Sequence, residues 1–251
     1  MPLLPSLLKL TLRPRLPRVK DPSLPDVHQV ELRLLGPINE LSAAQLCAQL
    51  RHFNEQGAKC IDIRITSGGG SLSDGLLIVD TMNEVKDTGT TIRTMVEGVA
   101  ASAATLVSVS ATAGERYIHK NSRMLLHRAR APLNSPAGMD EDELKTHISN
   151  LKALEACAMN VYKEFCPKLK ANKKLFKTAI AKNEWFNANE CKDTYGLVDK
   201  IGPLPVVNMP AQQMPNERGV LILRSDGGLG DFKDLDLESL IKKLAGSHPG
   251  K

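Results

Sequence analysis

Aromatic side chains are scarce in this chain, with one tryptophan, three tyrosines and five phenylalanines among 251 residues. Its lysines and arginines are therefore not interleaved with stacking residues, which argues against a nucleic-acid surface. No apolar run approaches the ~20 residues of a membrane span, and no uninterrupted apolar core precedes a small-residue cleavage site as a secretory signal requires. The five cysteines (Cys47, Cys60, Cys157, Cys166 and Cys191) form an odd set without C-x-x-C spacing. Neither a zinc site nor a disulfide framework is indicated, and reduced, buried thiols in an intracellular protein are expected.

Acids are missing from the start of the chain, where Lys9, Arg13, Arg15, Arg18 and Lys20 meet none before Asp21. Pro2, Pro5, Pro14, Pro17, Pro22 and Pro25 exclude a long helix there. Residues 1–28 are thus expected to form an extended, Pro-rich basic arm or to be disordered. An organelle transit segment is the alternative, opposed by the few serines and the prolines. The net charge of +5 is modest, and an apolar content of 42% is enough for one substantial domain.

Val30 to Leu35 reads as a strand closed by Gly36-Pro37. Ser42 is expected to cap a helix carrying Leu41, Leu46, Leu50 and Phe53 and ending at Gly57. Ile61, Ile63 and Ile65 then alternate with Asp62, Arg64 and Thr66, the pattern of a strand with one buried face, and Gly68-Gly69-Gly70 stops it. Leu76, Ile78, Val79 and Met82 line a second helix ending near Gly89. Thr91 to Val96 is a further strand, Ser102 opens an apolar helix to about Ala111, and Met124 to Leu126 is a short buried strand. This β-α-β-α-β-α-β order predicts an α/β domain with crossover connections and a largely parallel sheet.

Pro132 to Gly138 reads as a loop. Asp140 to Glu143 load the first turn of a helix of about 25 residues, where acids suit the dipole. Such a helix exceeds what one small domain needs, so it is either a surface helix over the sheet or a handle between subunits. Lys168, Lys170, Lys173 and Lys174 are read as a solvated basic face. Trp185 to Glu190 is expected to introduce a short helix, and Tyr195 to Asp199 a last turn and strand. Residues 203–230 read as a linker and Leu235 to Leu244 as a short helix.

Three stretches carry chemistry. Gly68-Gly69-Gly70 frees backbone N–H groups to point into open space, for a phosphate, a tight corner or an oxyanion. Ser102 lies among small residues in Gly98 to Ala104, and Arg123 to His127 ends on a histidine. A serine hydroxyl becomes a nucleophile at neutral pH when a histidine in hydrogen-bond reach takes its proton. The plainer roles are a helix N-cap for Ser102 and a satisfied core histidine for His127.

Taken together, T-S-G-G-G-S-L-S-D-G (66–75), D-T-M (80–82), G-V-A-A-S-A-A (98–104), N-S-R-M-L-L-H (121–127) and N-A-N-E-C-K-D-T-Y-G-L-V-D (187–199) resemble the Clp peptidase family, ClpP-like phage head-maturation proteases included. The resemblance implies a ClpP/crotonase-like fold over 29–202, with the arm before it and the linker and helix of 203–251 after it. It implies a serine endopeptidase with no cofactor or metal, acting on polypeptides inside a homo- or hetero-oligomeric ring, a hexamer or heptamer that is single or stacked. Cytoplasmic location follows from it, with an organelle or virion assembly in an infected cell as alternatives.

Carried over by motif, Ser102 takes the nucleophile position, His127 the general base, and the N–H groups of Gly70 and Ala103 the oxyanion hole. The family's acid position falls on Asn183, which orients an imidazole without charge, or, one residue along, on Glu184. Gly68 stands where the family has proline, and Arg128-Ala129-Arg130 replaces the proline after the histidine. Asp62 and Arg64 stand where the family often presents aromatics, which weighs against docking to an AAA+ unfoldase. A non-catalytic ring subunit is the first alternative, and a crotonase-type acyl-CoA enzyme a more distant one.

Overall fold

The structure, a computed structural model, describes residues 29–130 and 140–205. The N-terminal arm, the loop at 132–138, the expected linker from 206 to 230 and the helix expected at 235–244 lie outside the described residues.

Strand β1 (Gln29–Leu35) leads to helix α1 (Glu40–Glu55), β2 (Cys60–Ser67), α2 (Leu72–Asp87), β3 (Thr91–Ala101) and α3 (Ala103–Val109). Two short strands follow, β4 (Arg116–Ile118) and β5 (Arg123–Leu125), then helices α4 (Glu141–Phe165), α5 (Pro167–Ala171) and α6 (Lys173–Lys182). The described chain closes with β6 (Trp185–Asn187), a π-type turn at Glu190–Thr194, and β7 (Lys200–Ile201). The strands form one sheet in the order β1-β2-β3-β4-β7, parallel throughout, with β5 beside β3 and β6 antiparallel to β5. The expected mixed α/β fold with a mostly parallel sheet is present.

Several local expectations are corrected. Asn39, not Ser42, is the N-cap of α1; Ser42 sits three residues in, and the two close a reciprocal capping box. Trp185 to Asn187 form a strand that was not expected, with Phe186 buried opposite Met124, and the expected short helix opens only at Ala188. Strand β4 and helices α5 and α6 were not expected, and Cys157 is exposed whereas the other four cysteines are buried. The expected 25-residue helix is α4, opened by a capping box between Asp140 and Glu143.

β3 holds the sheet together, and its register changes along its length. Pairing with β2 moves from Ile65↔Val96 to Ser67↔Ala100, so β3 carries two extra residues there. Before the bulge β3 pairs with β4; beyond it, Val99, Ala100 and Ala101 pair with β5. The strand thereby runs on to the residue before Ser102 and brings β5 alongside it.

One sheet face is apolar, formed by Val30, Leu32, Leu34, Ile61, Ile63, Ile65, Ile92 and Val96. The other carries a ladder of charges across the strands. Glu31 accepts from Arg64 Nε at 2.5 Å, and Arg64 also pairs with Glu97. β2 is not the expected one-sided strand, since Asp62 is only 3% exposed. Its carboxylate accepts from Arg93 Nε at 2.5 Å and Nη2 at 2.7 Å, and from Gln29 Nε2 at 2.6 Å. The pair is covered by the end of the described chain: Leu204 packs on Met95 and Tyr117, and the Pro205 carbonyl accepts from Arg93 Nη1 at 3.0 Å.

Removing one partner of a buried ion pair strands the other's charge, at about 3–5 kcal/mol, whereas replacing both with apolar groups is often neutral. Asp62→Ala is therefore expected to lower unfolding stability by about 3 kcal/mol or more, and the Asp62→Leu/Arg93→Met pair by much less. Urea denaturation of the two variants checks this; a single-variant loss below about 1 kcal/mol would show that the pair is not holding the face.

Candidate active site

Ser102 occupies the junction between β3 and α3, with φ 56° and ψ −127°. A non-glycine residue with positive φ is strained, at ~1–3 kcal/mol, and such turns recur where a nucleophile is lifted out of a strand. Two contacts hold it. The Ser102 N–H donates to the Leu125 carbonyl at 3.0 Å, and its own carbonyl accepts from the Thr105 N–H at 3.0 Å and Thr105 Oγ1 at 2.6 Å. The side chain makes no capping bond to α3, so the N-cap role considered for it is not filled by its hydroxyl. Ser102 is half-buried, within reach of solvent.

The glycine turn is packed against this serine. A Cβ on Gly69 would lie 2.4 Å from the Ala101 carbonyl oxygen, 2.6 Å from Ser102 Cβ and 3.0 Å from the Ala103 nitrogen. Gly69 also has φ 89°, which disfavours any side chain. Gly70 forms a parallel bridge to Ile38, in which Ile38 N–H donates to the Gly69 carbonyl and Ser71 N–H to the Ile38 carbonyl, each at 2.9 Å. In that pattern the N–H of Gly70 faces away from Ile38. The N–H of Ala103, the first residue of α3, is one of those a helix start leaves without a partner inside the helix. The structure thus brings Ser102, Ala103 and the Gly68–Gly70 turn together.

His127 lies two residues beyond β5 and two beyond Leu125, the residue that holds the Ser102 N–H. It is half-buried, and its Nδ1 lies 2.6 Å from the Arg128 carbonyl oxygen. A carbonyl only accepts, so Nδ1 carries the proton and Nε2 keeps the lone pair that a general base needs. No hydrogen bond joins the His127 ring to Ser102 Oγ. Arg128, whose carbonyl meets the ring, is tied by its side chain to Glu155 of α4 at 3.0 Å.

Asn183 makes no hydrogen bond to His127. It ends α6 in the left-handed conformation, φ 60° and ψ 33°, a position asparagine tolerates better than most residues. This capping duty gives Asn183 a structural reason that sequence reading missed; a helix ending just before Trp185 would have signalled it. The β5–β6 ladder pairs Leu125 with Trp185. Two residues outward, the chains carry His127 and Asn183; the step between holds Leu126 and Glu184. Asn183 and Glu184 are both exposed.

Thiols offer no competing nucleophile in the core. Burial pushes Cys166 and Cys191 up to about 12. Burial, with the Asp62 carboxylate, does the same to Cys60. Among the described residues no cluster of histidine, cysteine and carboxylate could hold a metal ion, and no helix is long and apolar enough to cross a membrane.

The model of the Clp protease family matches residues 27–204. The chain is similar to the ATP-dependent Clp protease proteolytic subunit of Streptococcus sanguinis (strain SK36), at 30% identity over 171 residues, covering 68% of this chain and 83% of that relative. The subunit of the same name in Streptococcus mutans serotype c (strain ATCC 700610 / UA159) is 31% identical over 176 residues with the same coverage. That of Lactococcus lactis subsp. lactis (strain IL1403) is 38% identical over 98 residues, 39% of this chain and 48% of the relative.

The packing around the turn separates two neighbouring glycines. Gly69→Ala is expected to lower stability by roughly 2–4 kcal/mol, from steric displacement added to strain at positive φ. An alanine Cβ at Gly68 meets nothing within 4 Å, and Gly68→Ala is expected to change stability by no more than about 0.5 kcal/mol. Thermal unfolding of the two variants checks the contrast, and equal losses would contradict the packing.

Proposed function

The chain belongs to the Clp protease family, and on that premise we propose that it is a serine endopeptidase whose peptidase domain spans residues 29–202 and acts as a subunit of a ring. Ser102 attacks the peptide carbonyl, His127 Nε2 takes its proton and later passes it to the leaving amine, and the N–H groups of Gly70 and Ala103 receive the oxyanion. Asn183 orients His127 as the third member. The observation that carries this reading is the strained Ser102 turn, closed on one side by Gly69 and pinned on the other to the strand that leads to His127.

Asn183 is preferred to Glu184 because the β5–β6 pairing, if carried two residues past Leu125 and Trp185, would bring it opposite His127. It needs a shift to replace the Arg128 carbonyl at Nδ1, since catalytic hydrogen bonds often tighten only with substrate bound. The neutral amide orients the imidazole but adds no charge to stabilise imidazolium, so a slow peptidase is the expected result.

A ring is supported by α4. Only Val161 and Tyr162 of its 25 residues are buried. Leu144 and Leu151 are half-exposed and Ile148 is 50% exposed, an apolar stripe that this subunit leaves uncovered. The ring is read as a hexamer or heptamer, single or stacked, with polypeptide substrates enclosed and a cytoplasmic setting. Docking to an AAA+ unfoldase is disfavoured, because Asp62 and Arg64 are both engaged within the subunit. The second reading, a non-catalytic ring subunit, is favoured by one observation, the capping role that alone accounts for Asn183.

Ser102→Ala is expected to abolish hydrolysis of an unstructured peptide while keeping a light-scattering mass several times the 27.4 kDa chain. Asn183→Asp should raise the rate or leave it unchanged, since a carboxylate accepts the same bond and adds charge. Glu184→Gln should be nearly silent. Undiminished turnover in Ser102→Ala would refute the peptidase reading, a mass of one chain would refute the ring, and a collapse in Glu184→Gln would move the third role to Glu184.

A further inference from the structure

At the ends of β3 and α3 opposite Ser102, the C-terminal ends of α2, α3 and α4 and the start of β3 border a partly open cavity of about 480 Å³. Its lining includes Thr90, Thr91, Ala111, Thr112 and Phe165, with Glu164 beside them. Lys86 of α2 also lines it. Its Nζ lies 4.4 Å from the centre of the Phe165 ring and donates to the Ser110 carbonyl, at the end of α3, at 2.7 Å. Lys145 and Lys200 are paired with carboxylates at the surface, but no carboxylate forms an ion pair with Lys86 among the described residues.

We propose that Lys86 is an acylation site, its amine taking an acyl group from an activated donor (an acyl thioester or an acyl phosphate) that reaches it through this cavity. Three features of the place favour the neutral, nucleophilic amine, against contacts that favour its charged form. The mostly apolar lining thins the water around an ammonium, no carboxylate sits within ion-pair distance to hold the charge, and the cavity has room for the incoming acyl carbon, whereas the Ser110 carbonyl and the Phe165 ring act the other way. Burial accordingly lowers the amine to about 8, against the opposing pull of Glu164 of α4 and Asp87 of α2, the carboxylates that act on it.

In the step itself the Nζ lone pair forms the bond to the acyl carbon. The bond from that carbon to sulfur or to the phosphate oxygen breaks with its electron pair, so thiolate or phosphate leaves. Nitrogen releases one proton to solvent, and nothing is oxidised or reduced. The amide product is neutral: it keeps an N–H for the Ser110 carbonyl but loses the cation over Phe165.

The folded full-length protein is treated briefly at pH 8 with acetyl phosphate or, separately, acetyl-coenzyme A, and lysine occupancy is read by peptide mass mapping. A group titrating at about 8 is half neutral there, whereas an ordinary lysine is neutral in roughly one molecule in 250. A less basic amine is also less nucleophilic, so Lys86 is expected to react about tenfold faster than exposed lysines such as Lys59 and Lys173. The advantage should vanish in urea, and reaction with one donor alone identifies the donor class. Lys86 reacting no faster than exposed lysines, or keeping its advantage when unfolded, overturns the proposal. The peptidase reading is untouched by either result.

Discussion

The rest of the candidate site depends on one close approach, the passage of Gly69 beside Ala101, Ser102 and Ala103 without room for a Cβ. It locks the end of β2 to the point where β3 becomes α3. Ser102 is thereby kept at φ 56°, a conformation that costs ~1–3 kcal/mol and persists only when its surroundings over-determine it. The Leu125 carbonyl supplies one restraint and Thr105 another. Thr105 Oγ1 is bonded in turn to the Tyr162 hydroxyl of α4, so the long helix reaches the serine through two side chains. The register change in β3 completes the arrangement by placing β5, and hence His127, on the same edge.

What was legible in the sequence was whatever local pattern decides. The isoleucines of β2, the glycines that end it and the acids opening α4 act over a few residues, and each appears where it was read. The burial of Asp62 was not legible, because it depends on Leu204 and Pro205, which return to cover the sheet from more than 140 positions away. β6 was missed for a related reason. Its three residues carry no period of their own and become a strand only because β5 offers an edge for Phe186. Ser102 and His127 stand out as candidates by motif, but the strain at Ser102 belongs to the fold and has no sequence signature.

The candidate third residue, Asn183, shows the same division. An asparagine just before a short strand reads from sequence as a lost acid, and in the fold it also ends α6 in a left-handed turn. The Arg128 carbonyl meanwhile holds Nδ1 of His127 in the protonated tautomer, which leaves Nε2 free to accept a proton. A backbone carbonyl can thus set the tautomer without a carboxylate. It contributes no negative charge, so the barrier saved by stabilising imidazolium is forgone.

The most direct measurement is covalent labelling of the purified protein with a fluorophosphonate, followed by mapping of the modified peptide. Such a reagent reacts with a serine whose hydroxyl is activated by a base and whose oxyanion is received by aligned donors. The expected result is a single adduct, on Ser102, that forms more slowly when His127 is replaced by alanine. An adduct on another residue, or none at Ser102 after prolonged exposure of the assembled protein, would contradict the account.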